Sequence, residues 1–275
     1  MPNYILMLEG EPMYNKELDI SKHLAVQAGI AILEIYETDF NIEKKEDNSP
    51  LTLADRNANE IIVKGLKDHF SDYAILSEES KDDKSRMEND FCFIVDPLDG
   101  TKEFIKRNGQ FTVNIALAYT NKVVMGVIYV PVTKELYYAS KGQGAYLAVV
   151  ENGETRSENQ RLQVTNKVTD LIMVGSKSHS TEKEAKLIED NKEKIKETKS
   201  AGSSLKGCMV AKGEADIYYR FGYTCEWDTG AMQCIAEEAG GIFKQMDGTD
   251  MLYNRQNNLN EKGFYIVNKK ENIWV

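Results

Sequence analysis

The segment Val95-Asp96-Pro97-Leu98-Asp99-Gly100-Thr101 sets two carboxylates three residues apart, with a proline that removes a backbone donor and a glycine that permits a tight turn. In such a turn Asp96 and Asp99 can converge on one face and share a cation, with the Leu98 carbonyl between them as another hard oxygen ligand. All-oxygen ligation suits Mg2+ rather than zinc or copper. Asp-Pro and Asp-Gly are also ordinary turn chemistry. The spacing is not that of an EF-hand, which needs carboxylates at alternate positions before its glycine. Three further acids add weight. Glu78 follows the apolar run Tyr73–Leu76, and if that strand neighbours Phe91–Val95, Glu78 and Asp96 emerge at one sheet edge. Asp228 sits at a predicted helix start, where an Asp is commonly a cap. Asp55 lies in the first turn of another helix, where it also suits the dipole. Carboxylates gathered from separate segments are how a multi-metal phosphoryl-transfer site is built.

Hydrophobic spacing supplies the elements that must carry these groups. Leu18, Leu24, Ala28, Ala31, Ile32 and Ile35 recur at helical period, predicting a helix from Asn15 to about Glu37. Residues Asp39 to Asn48 are polar and form a loop or hairpin. Ser49-Pro50 then introduces a helix over Thr52–Phe70, capped by Thr52. The almost wholly charged stretch Ser80–Asp90 reads as an exposed loop, and Phe91–Val95 as a buried strand that Pro97 stops. The runs Phe111–Tyr119, Val123–Val130 and Glu135–Ser140 read as an antiparallel meander, whose end Gly142 and Gly144 punctuate.

Polar residues Glu151–Arg161 mark a domain boundary. Beyond it, strands at Leu171–Ser176, Asp216–Tyr219, Gly241–Lys244 and Gly263–Val267 alternate with helices at Thr181–Glu197, Ser204–Lys212 and Asp228–Ala239. The expected architecture is an α+β N-terminal domain, residues 1–150, carrying most metal ligands. It joins an α/β C-terminal domain, residues 151–275, carrying Asp228, with the site in the cleft between them.

A net charge of −10 over 275 residues excludes a protein that grips a nucleic acid polymer through clustered Lys and Arg. A cation in a carboxylate pocket would instead attract a phosphorylated ligand, because the ion dominates the local field. Cys92, Cys208, Cys225 and Cys234 form no CxxC pair and read as thiols in a reducing compartment. His23, His69 and His179 are far apart, which argues against a zinc site. No run approaches the roughly 18 apolar residues of a membrane span, and the N-terminus lacks signal-peptide character, so the expected location is cytoplasmic. Gly142-x-Gly144 does not open a helix, and there is no Walker A segment.

The segments Asp96-Pro97-Leu98-Asp99-Gly100-Thr101 and Trp227-Asp228-Thr229-Gly230-Ala231 resemble the two motifs of the inositol monophosphatase superfamily of metal-dependent, lithium-sensitive phosphatases. Ser49-Pro50-Leu51-Thr52-Leu53-Ala54-Asp55 and Leu76-Ser77-Glu78-Glu79-Ser80 resemble its earlier motifs, in the right order. Gly100-Thr101-Lys102-Glu103-Phe104, Gly202-Ser203-Ser204-Leu205-Lys206 and Tyr218-Tyr219-Arg220-Phe221-Gly222 are similar to the CysQ-type 3′(2′),5′-bisphosphate nucleotidases within it. The resemblance implies a layered αβαβα sandwich. It implies Mg2+, two or three ions per site, on Glu78, Asp96, the Leu98 carbonyl, Asp99 and Asp228. Asp55 and Thr101, with Glu78, would form the catalytic set that orients or deprotonates the attacking water. Phosphate would lie against Gly100 and Thr101. The rest of the substrate would meet Lys102, Ser176, His179, Ser204, Lys206 and Arg220, beside Glu78, Asp99 and Asp228. The implied reaction is hydrolysis of the 3′-phosphate of adenosine 3′,5′-bisphosphate to AMP, by a monomer or homodimer. The alternatives are an inositol or sugar phosphatase of the same superfamily, or a non-catalytic metal- or nucleotide-binding module.

Overall fold

The computed structural model describes residues 14–38, 42–44, 50–155, 159–176 and 181–275. The first helix, α1 (Asn15–Tyr36), buries Leu24, Ala25, Ala28 and Ile32 along one stripe, as its spacing predicts. A short antiparallel pair, β1 (Ile42–Lys44) and β2 (Pro50–Thr52), leads into α2 (Leu53–His69). Thr52 ends β2, and its expected capping side chain lies outside the described residues.

Strand β3 (Ala74–Ser77) pairs in parallel with β4 (Phe91–Asp99), Ser77 opposite Val95, so Glu78, just past β3, comes beside Asp96 of β4. Pro97 does not stop β4 as expected. The strand continues to Asp99 through a register shift between Asp96 and Asp99, where Pro97 has no ladder bond to donate. After the short helix α3 (Thr101–Ile105) the meander runs through β5 (Thr112–Tyr119), β6 (Lys122–Val130) and β7 (Glu135–Ser140). It then extends past Gly144 into β8 (Gly144–Glu151), a strand that the two glycines hid. Two short strands, β9 (Glu154–Thr155) and β10 (Gln160–Arg161), pair with β8.

In the second half, β11 (Leu171–Gly175) is followed by α4 (Glu182–Asp190). The long helix expected over Thr181–Glu197 ends there, and Ile195–Ser200 forms edge strand β12, parallel to β11. Most of β12 is exposed, so its charged sequence shows no period-two apolar signal that could compete with the helical one. Then follow α5 (Leu205–Ala211), β13 (Ile217–Arg220), β14 (Thr224–Cys225), α6 (Glu226–Glu238), β15 (Ile242–Gln245), β16 (Leu259–Asn260) and β17 (Phe264–Val267). The second sheet has the order β12-β11-β13-β17-β15, parallel as far as β13 and antiparallel beyond.

Alternation along the strands stacks these elements into layers. Phe93 and Val95 of β4 face α1 and α2, whereas Cys92 and Ile94 face the core containing Val210, Ile235 and Ala236 of α5 and α6. On the other side of those helices lie Tyr218, Phe243, Phe264 and Ile266 of the second sheet. Ile217, Tyr219 and Val267 turn the opposite way, toward Leu187 of α4. The result is a helix–sheet–helix–sheet–helix sandwich.

The middle layer sits close to the first sheet because β6 has a glycine at the crossing. A Cβ at Gly126 would lie 2.5 Å from the Ala231 carbonyl oxygen of α6. Backbone cannot yield there, so Gly126→Ala is expected to cost about 1–3 kcal/mol, as overpacking does. Urea unfolding monitored by circular dichroism measures this, and an unchanged midpoint would mean that α6 is not seated on β6 as described. Among the described residues no helix is long and apolar enough to cross a membrane.

Candidate active site

Asp96 and Asp99 leave β4 at its bulge, and Asp228 comes from the first turn of α6. One carboxylate oxygen of each lies within 4.8 Å of the others. Asp96 is buried, and its Oδ1 accepts the Leu98 N–H at 3.1 Å. Burial, and then the charges of Glu78, Asp99, Asp228 and Asp55, raise its pKa well above the usual carboxylate range. Burial also raises Asp99, against the pull of Lys206 and of hydrogen bonds from Ser204 and Asn114. Asp228 is pushed up to about 8, by burial first and Asp99 next. Gathering this many carboxylates without a matching cation is unfavourable, and all the donors are oxygen. The set therefore fits a hard divalent cation.

Local structure fixes each of these carboxylates. Helix α6 begins at Glu226, two residues earlier than expected, so Asp228 lies in its first turn. Its Oδ2 accepts the Cys225 N–H at 2.5 Å. Asp228 thus closes a capping box with the N-cap Cys225 and faces the carboxylate cluster at once. Asp99 Oδ2 accepts Ser204 Oγ–H at 3.0 Å and Asn114 Nδ2–H at 3.3 Å, and the Asn114 amide also donates to Ser204 Oγ at 2.9 Å. Ser204 is the N-cap of α5, but its hydroxyl makes no capping bond. Gly100 has φ +94°, which favours glycine at the turn that carries the chain from Asp99 into α3. Thr101 Oγ donates to the Leu98 carbonyl at 3.4 Å. Asp55 is buried in the first turn of α2, although an interaction with the dipole alone would leave it at the surface.

The cluster opens into a cavity of about 430 Å3, lined among others by Glu78, Asp99, Thr101, Lys206, Arg220 and Asp228. That is the size of a small-molecule site. Gly100, Lys102 and Ser176 line it too. Lys206 is buried, and burial lowers its pKa to about 8. It donates to the Ser203 carbonyl at 2.7 Å and the Ala201 carbonyl at 3.3 Å, so much of its capacity goes into the wall. Arg220 differs, because its buried Nε has no hydrogen-bond partner among the described residues. His179 lies outside the described residues.

Several residues in or beside the cavity escaped sequence reasoning. Asn114 is a buried polar residue in an otherwise apolar strand, and that was its signal. Glu103 lines the cavity, and its buried Oε2 has no hydrogen-bond partner among the described residues. Tyr223, 66% exposed, lines the rim. Nothing in its spacing distinguished it from a loop tyrosine.

The model of the inositol monophosphatase family matches residues 14–272, and the chain belongs to that family of metal-dependent phosphatases. It is 39% identical over 247 residues to the 3′(2′),5′-bisphosphate nucleotidase CysQ of Salmonella typhimurium, covering 89% of this chain and 96% of that protein. The CysQ protein of the same description from Escherichia coli strain K12 is 37% identical over 252 residues, covering 90% and 98%. The crystal structure of CysQ from Bacteroides thetaiotaomicron superposes with a TM-score of 0.81 at 40% identity, covering 94% of this chain and 99% of that one.

Proposed function

We propose that this chain hydrolyses the 3′-phosphate of adenosine 3′,5′-bisphosphate, giving AMP and phosphate. The observation that carries the reading is one cavity lined both by acids of a buried carboxylate cluster and by two cations, Lys206 and Arg220. With a divalent cation on the carboxylates, a molecule with two phosphates has a counter-charge for each. The CysQ relatives, named 3′(2′),5′-bisphosphate nucleotidases, support a nucleotide bisphosphate as the substrate class.

In this reading Asp96, Asp99 and Asp228, with Glu78 and the Leu98 carbonyl, hold Mg2+, in two or three positions. When bound, Mg2+ supplies charge neutralisation to the ester and lowers the pKa of water. Asp55 and Thr101 orient the attacking water, and Asp55 is the carboxylate that can take its proton. Gly100, Thr101 and Lys102 line the place of the phosphate that water attacks, and the 3′-oxygen of AMP is the leaving group. Arg220 Nε, with Lys206 behind it, meets the second phosphate in the planar geometry that guanidinium suits. Ser204 holds Asp99, Glu103 offers an acceptor to a sugar hydroxyl or base amine, and the Tyr223 ring offers the base a face. No cysteine, serine or histidine nucleophile is needed, because positioning and charge neutralisation dominate phosphoryl transfer.

The test is phosphate release with Mg2+ from adenosine 3′,5′-bisphosphate and inositol 1-phosphate in parallel, with and without EDTA. The expected result is EDTA-sensitive turnover of the nucleotide, with little turnover of the inositol ester. The reverse preference would keep the metal chemistry and overturn the substrate, and turnover untouched by EDTA would overturn the metal chemistry.

A further inference from the structure

Glu78 and Asp228 come from different sheets' surroundings, and their carboxylates repel each other and Asp96. Something outside the cluster must hold the two segments at a fixed spacing. The loop after Glu78 supplies one half of it. Although Ser80–Asp90 is almost wholly charged, Arg86 within it is buried. Its Nε and Nη2 fork onto the Asp82 carboxylate at 3.0–3.1 Å. Its Nη1 donates to Asn254 Oδ1 at 2.6 Å, and its Nη2 to the Arg255 carbonyl at 2.8 Å. Asn254 Nδ2 returns bonds to the Arg86 and Asn89 carbonyls at 3.1 and 3.3 Å.

The other half is Glu226, fully buried as the first residue of α6 and two residues before Asp228. Its Oε2 accepts the Asn254 N–H at 2.6 Å, and its Oε1 accepts the Arg255 N–H at 3.0 Å and Arg255 Nε–H at 3.2 Å. Arg255 Nη2 donates to Asn260 Oδ1 at 2.6 Å, and Asn260 Nδ2 donates to the Cys225 carbonyl at 2.8 Å, at the N-cap of α6. Asn121, in the β5–β6 turn, anchors the same segment by donating to the Tyr253 carbonyl at 2.6 Å. The network sets Arg86 and Arg255 against Asp82 and Glu226, and Lys84 also pairs with Asp82 at 2.6 Å.

We infer that Glu226, through Asn254 and Arg86, is a positioning residue that clasps the loop following Glu78 to the helix end bearing Asp228, and so sets the geometry of the cation site. Glu226 is fully buried and is not among the residues that line the cavity. Its carboxylate accepts from three donors, and a glutamine must turn an amide donor toward at least one of them. The inference rests on the proposed metal reading, and the test separates the two.

The experiment measures Mn2+ binding to the metal-free full chain by electron paramagnetic resonance, together with the Mg2+ concentration dependence of phosphate release. Glu226→Gln is expected to weaken Mn2+ binding at least tenfold and to raise the Mg2+ half-saturation by a similar factor. Turnover at saturating Mg2+ should stay within threefold of the unaltered chain, a split that general loss of folded protein would not produce. If Glu226→Gln fails to fold by near-ultraviolet circular dichroism, Asn254→Asp decides. It keeps the acceptor for Arg86, loses the return donor, and should weaken Mn2+ binding severalfold. A folded variant with unaltered Mn2+ affinity overturns the clasp alone. An unaltered chain that binds no Mn2+ overturns the metal reading and the clasp with it.

Discussion

Asp96→Asn is expected to abolish nearly all turnover while leaving the fold intact. Asp96 lies among Glu78, Asp99, Asp228 and Asp55 and feels the charge of all four. Neutralising it removes an anionic oxygen from the centre of the site. Cation-based charge stabilisation is worth several kcal/mol, and about 1.4 kcal/mol is tenfold in rate, so a loss of roughly 10^3-fold is the scale to expect. The same change should stabilise the metal-free protein. Asp96, Asp99 and Asp228 have folded-state pKa values above the ordinary 3.8, with Asp228 at about 8. The folded chain therefore holds protons at pH values where the unfolded chain has released them. The stability contribution of these groups is full below about pH 4 and falls as pH rises toward 8. In EDTA, the melting temperature of the unaltered chain should fall over this range, and that of Asp96→Asn should fall less. A variant with full activity and the same pH slope would show that Asp96 is not central to the site.

Arg220→Gln is expected to raise the KM for adenosine 3′,5′-bisphosphate by about 10- to 100-fold, since a hydrogen bond to a charged group contributes about 1.5–3 kcal/mol. The unpartnered Nε of Arg220 is the motive for this assignment, ahead of Lys206, which already donates to two carbonyls. Adenosine 3′-monophosphate lacks the second phosphate, so the variant should change its KM less than threefold. Steady-state kinetics on both substrates reads the difference. Equal loss on the two would place Arg220 outside the second phosphate site.

Much of the candidate site was legible because the proposed ligands sit where secondary structure changes. Asp96 and Asp99 flank Pro97-Leu98 just ahead of Gly100, Glu78 follows the end of β3, and Asp228 lies in the first turn of α6. Each position has a local reason to be recognisable, and the parallel pairing of β3 with β4 made the shared edge of Glu78 and Asp96 inferable. The layers followed from strand alternation and helical stripes, as with Phe93 and Val95 against Cys92 and Ile94. The failures have a common cause, which is tertiary burial that overrides local character. Arg86 lies in a charged run that reads as solvated, and only its partners Asp82, Asn254 and Arg255, the last two more than 160 residues away, bury it. Ile195–Glu197, the start of β12, reads as the end of a helix because an exposed edge strand has no apolar alternation. Pro97 reads as a strand end because the bulge that accommodates it depends on the partner strand.

The claim that the carboxylate cluster is a cation centre is tested most directly by crystals grown with Mn2+ and measured for anomalous scattering. The account predicts anomalous peaks among the carboxylates of Asp96, Asp99 and Asp228 and beside Glu78, removed by EDTA and missing from Asp96→Asn. A cluster without a peak, in crystals that bind Mn2+ elsewhere, would contradict it.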